Sequence, residues 1–113
     1  METKNFDLSS VLSVITGRIL TNFENISTLT GYLINTPVIY TTGVALYQNV
    51  CSNAILEKYP NLALIEVPES LNNWDDINKF IDEQTKTYGN SFELSPLSKE
   101  YIEAFQKSNK FKL

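Results

Sequence analysis

The sequence predicts a helix-rich α+β fold in a single compact domain spanning residues 1–113. Three observations predict it. Apolar residues recur at helical spacing between glycine and proline stops. Runs of strand-forming residues are few and short, which excludes a doubly wound sheet with its repeated βα units. The chain is 42 % apolar and carries six Tyr, six Phe and one Trp, enough for one core. A chain of this size buries roughly 65 % of its unfolded surface. About five helices with one or two short strand pairs are expected, and residues 1–5 and 108–113 are expected as frayed tails.

Each element has its own signal. Asp7 is a good N-cap, and Leu8, Val11, Leu12, Ile15 and Ile19 follow at helical spacing. Gly17 suits a left-handed helix end, so a helix is expected over 8–16. Its β-branched residues make tertiary packing necessary, and a strand from Val11 to Leu20 is the alternative. Asn22 or Asn25 caps a second helix bearing Ile26, Leu29 and Leu33. Thr36 to Tyr40 reads as extended chain, because Pro37 drives its predecessor away from the α region.

Thr41 or Thr42 starts a third helix, about 42–58, with Val44, Tyr47, Cys51, Ala54 and Ile55 on its apolar face. Leu62 to Val67 is rich in strand formers. A fourth helix starts within Ser70 to Asn73, places Asp75 and Asp76 in its first turn, and carries a stripe of Trp74, Ile77, Phe80, Ile81 and Tyr88. Gly89-Asn90 ends it, and Ser91 to Leu94 reads as a short strand. Ser95-Pro96 or Ser98 starts the last helix, with Tyr101, Ile102 and Phe105.

Composition excludes several chemistries. The chain has no His, one Cys, one Arg and a formal net charge of −4. Without His there is no Ser-His-Asp or Cys-His pair and no His-ligated zinc. One Cys forms no internal disulfide and no iron–sulfur cluster. No cofactor is expected. An acidic chain with one Arg is poorly suited to gripping a nucleic-acid backbone. No apolar run is long enough to span a membrane, and the opening residues lack the pattern of a signal peptide. The unpaired Cys fits a reducing cytoplasm.

The candidate binding residues are Arg18, Thr16, Tyr40 and Thr42. A guanidinium beside backbone donors can clamp a carboxylate or phosphate. It can equally pair with Asp7 or Glu24, or cap helix carbonyls. Cys51 on an apolar face reads as core packing. Asp75-Asp76 and Asp82-Glu83 are adjacent pairs whose side chains diverge by about 100°, a capping cluster and a solvated face. The Thr-Gly steps at Thr16, Thr30 and Thr42 lack the spacing and Lys of a phosphate loop and read as helix termini. Trp74 and the tyrosines can stack on a ligand, or simply fill the core.

Four segments carry a resemblance. Phe6 to Leu20 holds an Asp-Leu start, Val-Leu-Ser-Val and Thr-Gly-Arg. Thr28 to Gly31 follows, then Tyr59-Pro60-Asn61-Leu62. The last runs from Trp74 through Tyr88-Gly89 to Phe92-Glu93-Leu94 and Pro96-Leu97. Together, over residues 6–97, they resemble a small family of uncharacterised proteins borne by phages and prophages. Members of that family often carry a His and an Arg after a Tyr-Thr step. Here Tyr40-Thr41 leads into Thr42-Gly43-Val44-Ala45 instead, so any activity needing those groups is not implied.

The resemblance implies a phage-type accessory protein. With the small size, the acidic balance and the missing catalytic residue types, it leads to a non-enzymatic protein. Such a protein would bind and inhibit a host protein in the cytoplasm, a defence system being one target. The alternative is a homo-oligomeric module in which Arg18 and Thr16 hold a small anionic or nucleotide ligand.

Overall fold

In a computed structural model, residues 3–36 and 41–110 are described. The order is β1 (Lys4–Phe6), α1 (Leu8–Thr16), α2 (Phe23–Ile34), α3 (Thr41–Lys58), a short 3₁₀ turn (Pro60–Leu64), α4 (Trp74–Tyr88), β2 (Phe92–Leu94) and α5 (Lys99–Lys110). The fold is helix-rich α+β, with five α-helices and one antiparallel strand pair among the described residues.

α1 is the centre. Asp7 accepts from the Ser10 amide at 3.0 Å, and Gly17 closes the helix at φ 76°. A residue with a Cβ pays about 1–2 kcal/mol in that left-handed region. Leu8, Val11, Leu12 and Val14 are all buried, although β-branched residues weaken the helix on its own. Burial supplies the difference, since each such side chain contributes about 1.5–3 kcal/mol. α2 and α3 pack against α1 and against each other. They add Ile26, Leu29 and Leu33 from α2, and Val50, Cys51 and Ile55 from α3.

α2 starts on Asn22, whose side chain accepts from the Asn25 amide at 2.8 Å. It ends with Asn35 at φ 57°, where the amides of Asn35 and Thr36 return to Tyr32 and Gly31 carbonyls. α4 starts on Asn73, which accepts from the Asp76 amide and donates to its carboxylate. The Ser98 hydroxyl accepts from the Tyr101 amide at the start of α5.

Several expectations need correction. Lys4 and Asn5 do not fray: β1 pairs with β2, Lys4 opposite Leu94 and Phe6 opposite Phe92. The side chain of Asn90 accepts from the Leu8 amide at 2.9 Å and holds this pairing to α1. α5 likewise continues past Ser108 to Lys110. Leu62 to Val67 is not a strand. Pro60 fixes the φ of a first helical turn, and the segment opens as a 3₁₀ turn with Leu62 buried. The fourth-helix stripe is covered only from Ile77 onward, and Trp74 at the helix start is 53 % exposed. Thr30-Gly31 is not a helix terminus but lies inside α2, and Thr42-Gly43 lies in the first turn of α3. The extended reading of residues 37–40 lies outside the described residues.

Candidate functional site

The C-terminal end of α1 leaves carbonyls that the helix itself cannot satisfy. Gln48 and Ser52 of α3 satisfy two of them, and two hydroxyls of α1 bond carbonyls one turn back. Thr16 donates to the Leu12 carbonyl at 2.7 Å. Gln48 Nε2 from α3 donates to Val14 at 2.8 Å and to Ile15 at 3.3 Å, and Ser52 donates to Ile15 at 3.1 Å. Ser13 donates to Ser9 at 2.7 Å and accepts from the Leu20 amide at 3.0 Å. These bonds lock α3 onto α1 and turn the chain sharply after Gly17.

That turn aims the Arg18 side chain at backbone carbonyls, and it makes no ion pair with a carboxylate among the described residues. Nη1 donates to the carbonyls of Val67 at 3.1 Å and Pro68 at 2.7 Å, and Nη2 reaches Leu71 at 3.5 Å. The guanidinium thus braces the chain between the 3₁₀ turn and α4, a use of its fixed fork of donors. Thr16, besides donating to Leu12, accepts from the Arg18 amide at 3.2 Å. Both groups that the sequence offers for an anion are engaged with backbone. Of the other two candidates, Tyr40 lies outside the described residues, as does the side chain of Thr42.

Beside this junction lies a cleft of about 250 Å³ between α1, α2 and α3. Val14, Ile19, Phe23, Ile26 and Val44 give it apolar walls, and Ser13, Thr30 and Gln48 add polar side chains. Its lining runs outward to Ile19, which is 64 % exposed, and to Ala45, also exposed. Leu46, the next residue of α3, is 67 % exposed. Thr30 is fully buried, and its Oγ1 has no hydrogen-bond partner among the described residues.

Thr30 and Gln48 are the site residues that sequence reasoning missed. A signal for Thr30 exists: it stands four residues after Ile26 and three before Leu33, on the stripe that also carries Leu29. A polar residue on that face is the informative exception in a buried stripe.

The remaining candidates have structural uses. Cys51 is fully buried, and burial pushes its thiol up from 9.0 to about 12, so it stays protonated. Tyr32 donates to the Leu94 carbonyl at 3.2 Å and Tyr59 to that of Glu93 at 2.9 Å, both fastening β2. Tyr101 accepts from the Asn53 amide group at 2.7 Å and so ties α5 to α3. Asp75, Asp76, Asp82 and Glu83 are exposed on α4. No group of metal-binding side chains gathers among the described residues, and no helix there is long and apolar enough to cross a membrane. Compared with protein-family models, with curated proteins and with solved structures, the chain matches none.

Proposed function

We propose that this chain is a non-enzymatic binding protein that engages a partner protein through the cleft between α1, α2 and α3. The observation that carries the reading is the exposed apolar lining of that cleft, Ile19 and Ala45, continuous with the half-buried walls formed by Phe23 and Val44 and with the buried Val14 and Ile26 beneath them. An apolar recess with an exposed apolar edge is how protein interfaces seat an anchor side chain. The resemblance over residues 6–97 supports placing the chain with phage or prophage accessory proteins. The partner is then a host protein in the cytoplasm whose action the chain blunts, such as a component of a defence system. The alternative of an anionic or nucleotide ligand is weaker, because Arg18 spends its guanidinium on three carbonyls.

The test is affinity capture from a lysate of the cell that harbours the gene. Three baits are compared: wild type, Ile19→Asp and Leu64→Asp, the last altering a residue 71 % exposed and outside the cleft lining. Wild type and Leu64→Asp should retain the same stoichiometric partner, and Ile19→Asp should lose it. No stoichiometric partner on wild type, or equal capture by Ile19→Asp, overturns the proposal.

A further inference from the structure

The chain carries a knob to match its own cleft. Trp74 is the only tryptophan, and at the first position of α4 it is 53 % exposed. Its ring keeps a large apolar surface in water, and tryptophan is among the side chains enriched at interface hot spots. The Arg18 brace holds it near the cleft. Arg18 lines the cleft, its Nη2 reaches the Leu71 carbonyl at 3.5 Å, and Leu71 lies three residues before Trp74.

We infer that two copies of the chain pair about a two-fold axis, with Trp74 of each seated in the cleft of the other. An interface of this kind is self-complementary, so it needs a knob and a hole on one chain. The cleft fits this occupant in three ways. An apolar cavity of roughly 150 Å³ holds benzene, and about 250 Å³ leaves room for the larger indole. Gln48 spends Nε2 on the Val14 and Ile15 carbonyls, which leaves Oε1 as the acceptor this side chain offers. The indole N–H, a donor only, is the complementary group. Arg18, the only ionisable residue in the lining, makes no ion pair with a carboxylate among the described residues. Trp74 brings the exposed Asp75 and Asp76 with it. The contact therefore sets opposite charges together, although each copy carries a net charge of −4. One side chain per copy makes a small interface, so the pair is transient. The inference goes beyond the reading of the cleft as a host-binding face and does not rest on it. A host partner that fills the cleft displaces the second copy.

The experiment uses Trp74 as its own reporter. Wild type, Trp74→Ala and Ile19→Asp are compared by sedimentation equilibrium from micromolar to millimolar chain. Both substitutions fall on exposed residues, where a fold tolerates change. Wild type should form dimers and no larger species. Each variant should self-associate about thirtyfold more weakly or worse, the loss expected when a tryptophan hot spot is truncated or its seat is spoiled. Ile19→Asp is then titrated with Trp74→Ala, which has no tryptophan. The Trp74 emission of Ile19→Asp should move to shorter wavelength as the indole leaves water for the intact cleft of the other variant. A monomeric wild type, growth beyond dimers, variants that dimerise as wild type does, or an unshifted emission each overturn the inference. Affinity capture keeps the two readings apart, because a Trp74→Ala bait should retain the host partner as wild type does. Capture without dimers overturns this inference and leaves the host-binding reading standing. Dimers without capture do the reverse.

Discussion

Arg18 Nη1 donates to the Pro68 carbonyl oxygen at 2.7 Å, across fifty residues of chain. The same side chain reaches the carbonyls of Val67 and Leu71. The sole arginine therefore fastens the segment between the 3₁₀ turn and α4 to the end of α1. Hydrogen bonds from a charged donor are worth about 1.5–3 kcal/mol in net stability. Half-exposure of this side chain places the expected loss for Arg18→Ala at the lower end, about 1–2 kcal/mol in urea unfolding. Lysine lacks the planar fork and should restore only part of it. Because the acceptors are carbonyls rather than carboxylates, the loss should change little between low and high salt. A loss that vanishes in high salt would mean an ion pair instead.

Thr30 should behave in the opposite sense. Thr30→Val removes a buried hydroxyl that has no partner among the described residues and keeps the shape of the side chain. The variant should be as stable as wild type or more stable by about 1 kcal/mol, read from the denaturant midpoint at an unchanged slope. A loss above 1 kcal/mol would show that the hydroxyl is bonded inside the folded chain.

Cys51 gives a prediction in pH. Its thiol ionises near 9.0 when exposed and near 12 when folded, because burial disfavours the thiolate. Between those values the unfolded chain has lost the proton and the folded chain keeps it. Stability contributed by this group is therefore complete below pH 9 and falls as the pH rises towards 12. The difference in unfolding free energy between wild type and Cys51→Ala should shrink over that window and stay flat below it. The native thiol should also resist alkylation at pH 8 and react once the chain is unfolded.

Much of the helical framework is legible in the sequence, and the site is not. Asp7, Asn22 and Asn73 cap helices by local bonds to amides three residues on, so their signal is contained in short windows. Gly17 ends α1 for an equally local reason. The pairing of Lys4–Phe6 with Phe92–Leu94 joins the two ends of the chain, and three residues of each strand hold no record of the partner. Pro60 misleads in a different way. The residues after it favour strands, but the fixed proline geometry opens a 3₁₀ turn. Arg18 was visible as unusual, yet its acceptors are carbonyls about fifty residues away, and a carbonyl has no residue identity to read. Thr30 sits on a stripe whose spacing is plain, but only the fold shows that its hydroxyl has no partner among the described residues.

The most direct measurement of the binding-face claim is amide hydrogen exchange of the chain alone and in its captured complex. Protection gained in the complex should concentrate in residues 17–23 and 43–48, which hold Ile19, Phe23, Val44, Ala45 and Gln48 of the cleft lining. Protection confined to α4 and α5, with those two segments unchanged, would contradict it.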